Sequence, residues 1–261
     1  MKKSLSIISW NVNGLRAIER KEAFHTIADG TYDIIGIQET KVSDPGLLSD
    51  QVLHPDGYHS FWHCSTTKKG YSGVGLYTKT EPLSVVTDFG ANTLSEEGRV
   101  IQAEFDSFYL FTIYFPNGGS GEARLAYKLA FYKEFIAYTD KLKKKGKPII
   151  FMGDVNTAHQ EIDLARPKQN INTSGFMSIE REWLDTFEEH TFVDTFRHMH
   201  PDKAEQYTWW DMKSGARARN IGWRIDYVYV QKELLSRVKD AFILPSIIGS
   251  DHCPVGISLE V

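Results

Sequence analysis

Four short apolar runs, scattered over a chain of 261 residues, each end in a carboxylate, an amide or an imidazole. Ile7 to Trp10 leads into Asn11, Val12 and Asn13; Ile34 to Gln38 leads into Glu39; Ile149 to Met152 leads through Gly153 into Asp154 and Asn156; Ile247 and Ile248 lead into Asp251 and His252. Such a run reads as a buried strand, and a polar group at its end is held by a rigid element while facing an open crevice. The ends are drawn from both extremes of the chain, so one compact domain over residues 1–261, of α/β or α+β class, is the simplest fold that gathers them. Any one of them alone is most simply a turn. Together, carboxylates, amides and an imidazole suit metal-assisted attack on a phosphate ester.

Further strands are expected over residues 72–77, 100–105, 108–114, 225–230 and 255–259, with Asp106 and Ser107 turning a hairpin. The clearest helix is expected over residues 122–145, where Leu125, Leu129, Tyr132 and Ile136 recur at intervals of three and four. Gly146 and Pro148 stop it. Lys141, Lys143, Lys144 and Lys145 then meet the negative end of the helix dipole, a reading preferred to nucleic-acid binding. A second helix is expected over residues 178–186, with Glu180, Arg181 and Glu182 on its exposed side.

Hydrophobic content of 41%, with 13% aromatic, supports a sizeable core, and no low-complexity stretch interrupts it. Cys64 and Cys253 are too few for a disulfide framework and suit a reducing compartment. The basic start at Lys2 and Lys3 precedes an apolar run broken by Ser6 and Ser9, which reads as a strand and not an export signal. No apolar run is long enough to cross a bilayer. The expectation is a cytoplasmic protein without a membrane partner, nucleoid-associated if prokaryotic. A net charge of −4 is not that of a bulk nucleic-acid binder, but residues 213–224 carry Lys213, Arg217, Arg219 and Arg224 and no acid. Aromatic faces beside these cations, at Trp209, Trp210 and Trp223, suit nucleic acid.

The segments Ser9-Trp10-Asn11-Val12-Asn13-Gly14-Leu15-Arg16, Ile37-Gln38-Glu39-Thr40-Lys41, Gly98-Arg99-Val100 and Tyr114-Phe115-Pro116-Asn117 follow one another in order. They continue with Gly153-Asp154-Val155-Asn156-Thr157-Ala158-His159, Gly222-Trp223-Arg224-Ile225-Asp226-Tyr227 and Gly249-Ser250-Asp251-His252-Cys253-Pro254. This series resembles the exonuclease III family of AP endonucleases, within the larger endonuclease/exonuclease/phosphatase superfamily, and spans nearly the whole chain. The resemblance implies a four-layer sandwich of two packed mixed β-sheets flanked by helices. It implies a Mg²⁺-dependent monomer, with Mn²⁺ as a substitute, that cuts duplex DNA on the 5′ side of abasic sites and leaves a 3′-hydroxyl. 3′-Phosphodiesterase and 3′-to-5′ exonuclease activities are implied as companions.

Residue by residue, the resemblance makes Glu39 the leading metal ligand, in a set completed by Asn11, Asn13, Asp154, Asn156, Asp251 and His252. Asp154 matches the general base, Asn156 the group that orients it, Asp226 a carboxylate that orients His252, and Tyr114 and Asn117 the phosphate contacts. Arg16, Lys41, Gly70, Tyr71, Asn170, Lys213, Arg217 and Asn220 match the DNA-contacting set. Trp209, Trp223 and Ile225 match the walls of a slot for a flipped-out abasic sugar. Three positions depart from the pattern of animal members: Asn13 stands for an aspartate, Ser120 for an arginine that reaches into the duplex, and Lys213 for a methionine that wedges into it.

Plainer readings stand beside these. Asp154 and Asn156 also fit an Asx-turn, Tyr114 to Asn117 a capped strand end, and Trp210 a core residue. His25, His54, His59, His63, His190, His198 and His200 read as ordinary histidines. Another phosphoesterase of the superfamily, such as a deadenylase, is an alternative, as is a catalytically silent DNA-binding module. The latter is disfavoured by the presence of Glu39, Asp154, Asp226 and His252 together.

Overall fold

The computed structural model describes residues 4–89, 96–213 and 215–260. Among these residues twelve strands, numbered in chain order, form two six-stranded sheets. In the first the order is β11 (Val238–Ile243), β12 (Val255–Glu260), β1 (Ser4–Asn11), β2 (Ile34–Gln38), β4 (Val74–Thr78) and β3 (His59–His63). In the second it is β5 (Ser84–Val86), β6 (Val100–Glu104), β7 (Tyr109–Tyr114), β8 (Ile149–Asp154), β10 (Asp226–Gln231) and β9 (Phe192–Asp194). Each sheet is mixed: β1 and β2 are parallel, as are β7 and β8, and the remaining pairs are antiparallel. Among the described residues the α-helices are α1 (Leu15–Arg20), α2 (Asp50–Leu53), α3 (Glu122–Lys143), α4 (Pro167–Asn170), α5 (Ser178–Glu189) and α6 (Thr195–Met199). Among the described residues no helix is long and apolar enough to cross a membrane.

The central strands are apolar without a break because both faces are covered. Along β1, Ile7 faces the core between the sheets and Ile8 the core beneath α1; along β8, Ile150 and Met152 face the inter-sheet core while Ile149 and Phe151 meet α3 and α5. Four layers result, as expected. The sheets approach closely at Gly36, where a Cβ would lie 2.5 Å from Met152 Cε and 2.7 Å from Thr112 Oγ1. Just beyond it, the buried Gln38 amide donates to Ser9 Oγ at 3.0 Å and to Thr112 Oγ1 at 2.9 Å, pinning the two sheets together below the strand ends that carry the site.

Several local expectations are corrected. Helix α3 ends at Lys143, two residues early, and its buried stripe is Lys128, Phe131, Tyr132, Phe135, Ile136, Thr139 and Leu142; Leu125 and Leu129 lie at its margin. Glu180, expected on an exposed face, is completely buried, because the face that α5 turns inward meets a lysine and not only apolar side chains. The strand expected from residue 72 begins at Val74, since Ser72 (φ 50) and Gly73 (φ 89) are left-handed. The fourth apolar run is no strand: Ile247 and Ile248 belong to the loop between β11 and β12, and Ile248 is 71% exposed. The hairpin at Asp106 and Ser107 forms, closed by Phe105 N donating to Phe108 O at 2.9 Å.

Candidate active site

Strand register builds the site. Parallel pairing of β7 with β8 sets Tyr114 beside Asp154, and antiparallel pairing of β8 with β10 sets Asp226 on its other side. On the facing sheet, the pairing of β1 with β2 brings Asn11 to the residue before Glu39. All these ends open toward one edge of the sandwich, where the loop before β12 adds Asp251 and His252.

Glu39, Asp154 and His252 each offer a ligand atom, and these lie within 4.8 Å of one another. Asn11 links the two carboxylates: its amide donates to Glu39 Oε1 at 3.0 Å and to Asp154 Oδ2 at 2.8 Å, while its Oδ1 accepts Asn13 N at 3.0 Å. Asn13 lies one step outward, donating to Asp251 Oδ1 at 2.8 Å and accepting from the Lys41 ammonium, which also stands 3.0 Å from Glu39 Oε2. An aspartate at residue 13 would face the Asp251 carboxylate; the amide satisfies both neighbours. Asp251 also accepts from Trp209 Nε1 at 3.2 Å and Ser250 Oγ at 3.2 Å. The donor set suits a hard cation held by the two carboxylates Glu39 and Asp154.

Asp154 is buried and its turn is tightly made. Asn156 N donates to Oδ1 at 2.7 Å and Asn156 Nδ2 to Oδ2 at 3.2 Å, so the Asx-turn and the proposed orienting role are the same geometry. Asn117 Nδ2 in turn donates to Asn156 Oδ1 at 3.0 Å. Asn156 adopts φ 56, and Gly153 (φ 148) lies so close to Ile113 O that a Cβ there would stand 1.8 Å away. Only glycine fits beneath this turn. On the other flank, His252 Nδ1 pairs with Asp226 Oδ2 at 2.8 Å and its Nε2 lies 4.0 Å from Asp154 Oδ2.

The electrostatics follow from burial. Desolvation first, then repulsion by Asp226 and Glu39, pushes Asp154 up to about 8, with His252 opposing. Burial works against a charged His252, but Asp226 and then Asp154 outweigh it and raise the imidazole to about 10. Burial, with the Glu39 and Asp154 carboxylates, also holds the Tyr114 phenol well above its ordinary value, so it remains a hydrogen-bond donor. Arg99, fully buried, lies 4.5 Å from the Tyr114 ring centroid and opposes that rise.

These groups open into a cleft of about 200 Å³, lined by Glu39, Tyr114, Asn117, Asp154, Asn156, Asp251 and His252 together with Trp209, Trp223, Ile225 and residues Thr173 to Gly175. The two indoles meet edge to face at 6.3 Å between centroids. Trp210 is buried, as expected of a core residue.

The residues matched to DNA contacts differ in exposure and in what they bond. Arg16 and Lys213 are exposed, and Gly70 is exposed with its N–H donating to Ser43 Oγ at 3.1 Å. Tyr71 is half-buried and receives bonds from Arg99 at 3.0 Å and Arg124 at 2.8 Å. Asn170 is held locally, by Arg166 O at 3.0 Å and Thr173 Oγ1 at 3.3 Å. Asn220 accepts from Trp210 Nε1 at 3.1 Å and donates to Glu205 O at 3.1 Å. Arg217 stacks 4.6 Å from the Trp210 ring and donates to the carbonyls of Ser250, Pro245 and Ile247 at 2.8–3.0 Å, so its guanidinium braces the loop that carries Asp251. The cationic stretch is therefore not one patch. Arg224 is buried, paired with Asp163 at 2.8 Å and Asp194 at 2.7 Å. Ser120 lies exposed at the loop before α3.

Residues that the pattern of strand ends did not single out also support the site. Thr208 donates to Asp226 Oδ2 at 2.6 Å. Lys128 donates to Asn156 O and Thr157 Oγ1, in and just after the Asp154–Asn156 turn; it stands four residues before Tyr132 in the helical stripe, which was the available signal.

The chain matches the Endonuclease/Exonuclease/phosphatase family over residues 8–252. It is 45% identical over 258 residues to an exodeoxyribonuclease of Bacillus subtilis, covering 98% of this chain and 100% of that protein. It is 42% identical over 258 residues to the DNA repair nuclease APEX1 of Danio rerio, covering 99% of this chain and 83% of the relative. The crystal structure of the AP endonuclease LMAP from Leishmania major superposes with a TM-score of 0.88 at 29% identity, covering 99% of this chain and 88% of that one. The chain belongs to the endonuclease/exonuclease/phosphatase family. Within it, the protein is a phosphodiesterase of the exonuclease III and AP endonuclease type.

Proposed function

We propose that this protein is a DNA-repair nuclease that hydrolyses the phosphodiester 5′ to an abasic site in duplex DNA and leaves a 3′-hydroxyl. The observation that carries the reading is the cleft beside Asp154 and His252. At about 200 Å³ it is below the ordinary size of a ligand pocket, and Trp209, Trp223 and Ile225 line it together with the polar groups of the site. Such a slot receives a bare sugar and refuses one that carries a base, and a nucleotide without its base costs least to extrude. The relatives named for DNA repair and exodeoxyribonuclease activity support DNA as substrate. Action as a monomer is part of this proposal.

The family is metal-dependent, and Mg²⁺ is the proposed ion, with Mn²⁺ as substitute, held by Glu39 and Asp154. When bound, the ion neutralises phosphate charge and stabilises the leaving oxygen. Asp154 takes the proton of the attacking water, oriented by Asn156, which Asn117 holds in turn. His252, kept cationic by Asp226, and the protonated Tyr114 donate to the phosphate oxygens on which charge accumulates. Arg16, Lys41, Gly70, Tyr71 and Lys213 are the proposed backbone track, with Asn170 beside Thr173 of the cleft lining. A 3′-to-5′ exonuclease or 3′-phosphodiesterase activity uses the same groups, and the exodeoxyribonuclease relative favours it as a companion. Free Cys64 and Cys253 agree with work in the cytoplasm. The test is a nicking assay on a duplex with a single abasic analogue, with Mg²⁺ and with chelator. Incision at that site, lost on chelation, supports the reading; degradation from 3′ ends without incision replaces it with the companion activity.

A further inference from the structure

The ammonium of Lys128 is completely buried and touches three acceptors: Asn156 O at 2.7 Å, Thr157 Oγ1 at 2.7 Å and Glu180 Oε1 at 2.6 Å. Its partner Glu180, equally buried, accepts Ser174 Oγ on Oε1 at 3.0 Å and Gly175 N on Oε2 at 2.6 Å. Asn156 belongs to the catalytic turn, and Ser174 and Gly175 line the cleft. One ion pair thus ties the turn that holds Asp154 to the wall of the slot. The turn needs such a tie. Asn156 is left-handed, a conformation that persists in a residue with a side chain only where its surroundings over-determine it. Tyr132, one helical turn beyond Lys128 on α3, donates to Val155 O at 2.9 Å and braces the same turn. Spacing across the gap is tight: a Cβ on Gly175 would lie 3.1 Å from Asn156 O and 3.3 Å from the Trp223 ring.

We propose that Lys128 and Glu180 are positioning residues for the reaction, fixing the Asp154–Asn156 turn at its working distance from the Thr173–Gly175 wall of the cleft. The inference rests on the reading of Asp154 as the base and of the cleft as the sugar slot. Buried ion pairs are rarely a net gain in stability over apolar substitutes, so a merely structural role predicts that a neutral replacement, once folded, works normally. A positioning role predicts otherwise, because a displacement of about 1 Å at a reacting group can cost about a hundredfold in rate.

Lys128→Met, Lys128→Arg, Glu180→Gln and the Lys128→Met/Glu180→Met pair are compared with the wild-type chain by steady-state and single-turnover cleavage. Two substrates are used, a duplex with an abasic analogue and one with a 3′-phosphate, each variant being assayed below its own unfolding midpoint. The expected result is a kcat lowered about 10- to 100-fold in Lys128→Met and in the double variant, with KM changed by less than about threefold. Lys128→Arg, which keeps the charge and has donors for the same acceptors, is expected to recover to within about threefold of wild type. If Lys128→Met does not fold, Glu180→Gln carries the test with the same split between kcat and KM. Wild-type kcat in the folded neutral variants overturns the inference, as does failure of Lys128→Arg to rescue. Should wild type leave the abasic duplex uncut yet remove the 3′-phosphate, the abasic reading falls, and the 3′-phosphate series still decides the role of the pair.

Discussion

Nδ1 of His252 lies 2.8 Å from Oδ2 of Asp226, and Thr208 Oγ1 donates to that same oxygen at 2.6 Å. The carboxylate is therefore fixed from one side and fixes the imidazole on the other, leaving Nε2 to face the cleft and Asp154. Asp226→Asn removes the charge that outweighs burial at His252 while keeping the shape. Turnover on an abasic duplex is expected to fall about 10- to 100-fold, the scale of losing a partner that orients a working group, with DNA affinity nearly unchanged. Equilibrium binding and single-turnover rates on one preparation check both halves. A parallel loss of binding would mean that the pair organises the DNA surface instead.

Glu39→Ala is expected to abolish cleavage at ordinary Mg²⁺ and to recover partly as the metal is raised, because one oxygen ligand is lost while Asp154 remains. The same loss should appear without any reaction, as a weaker Mg²⁺-induced rise in melting temperature. Identical metal titrations in wild type and variant would remove Glu39 from the ligand set.

Trp223→Ala is expected to weaken discrimination between abasic and intact duplexes more than it weakens affinity for intact DNA, since the indole walls the slot. Binding to both duplexes across a salt series reads this directly. An equal loss on both would place Trp223 on the backbone track.

Arg217 illustrates where the sequence reading and the structure part. From its place in a cationic stretch it is expected to contact phosphates, so that Arg217→Ala lowers affinity for every duplex and flattens its salt dependence by about one unit of slope. The structure commits its guanidinium to three carbonyls and an indole, which predicts a lower melting temperature and a salt slope that hardly moves. Salt-dependent binding separates the two.

What was legible in the sequence was whatever a run of residues can say about itself. Asn11, Glu39 and Asp154 stand out because a change from apolar to polar marks each segment's end, whereas the weight given to His252 and the two packed sheets come from the family resemblance. Lys128, Glu180 and Arg224 were misread or passed over for one reason: their charges are buried against partners 52 residues away for Lys128 and 61 for Arg224, and a charge in sequence looks solvated until its partner is known. Ile247 and Ile248 misled in the opposite sense, since an apolar pair reads as a strand although Pro245 and Gly249 on either side favour a loop.

Asp163 gives a prediction outside the active site. Burial would raise its carboxyl, but Arg224 and Arg197 overcome this and hold it at about 2, below the ordinary 3.8. Because the folded value is depressed, the stabilisation is present above pH 4, declines as pH falls, and is gone below about pH 2. It amounts to about 2 kcal/mol, to order of magnitude. Asp163→Asn should therefore be less stable than wild type at pH 7, the gap narrowing on acidification. Urea unfolding of both proteins between pH 7 and pH 3 measures it; a gap independent of pH would mean that the carboxylate's charge contributes nothing.

The central claim is that Asp154 activates water at a slot fitted to a missing base. Its most direct test is Asp154→Asn on a duplex bearing one abasic analogue, in Mg²⁺, with binding and single-turnover incision measured on the same samples. The account predicts affinity close to wild type and incision on the 5′ side of the lesion slowed about a hundredfold or more. Incision at a near wild-type rate would contradict it.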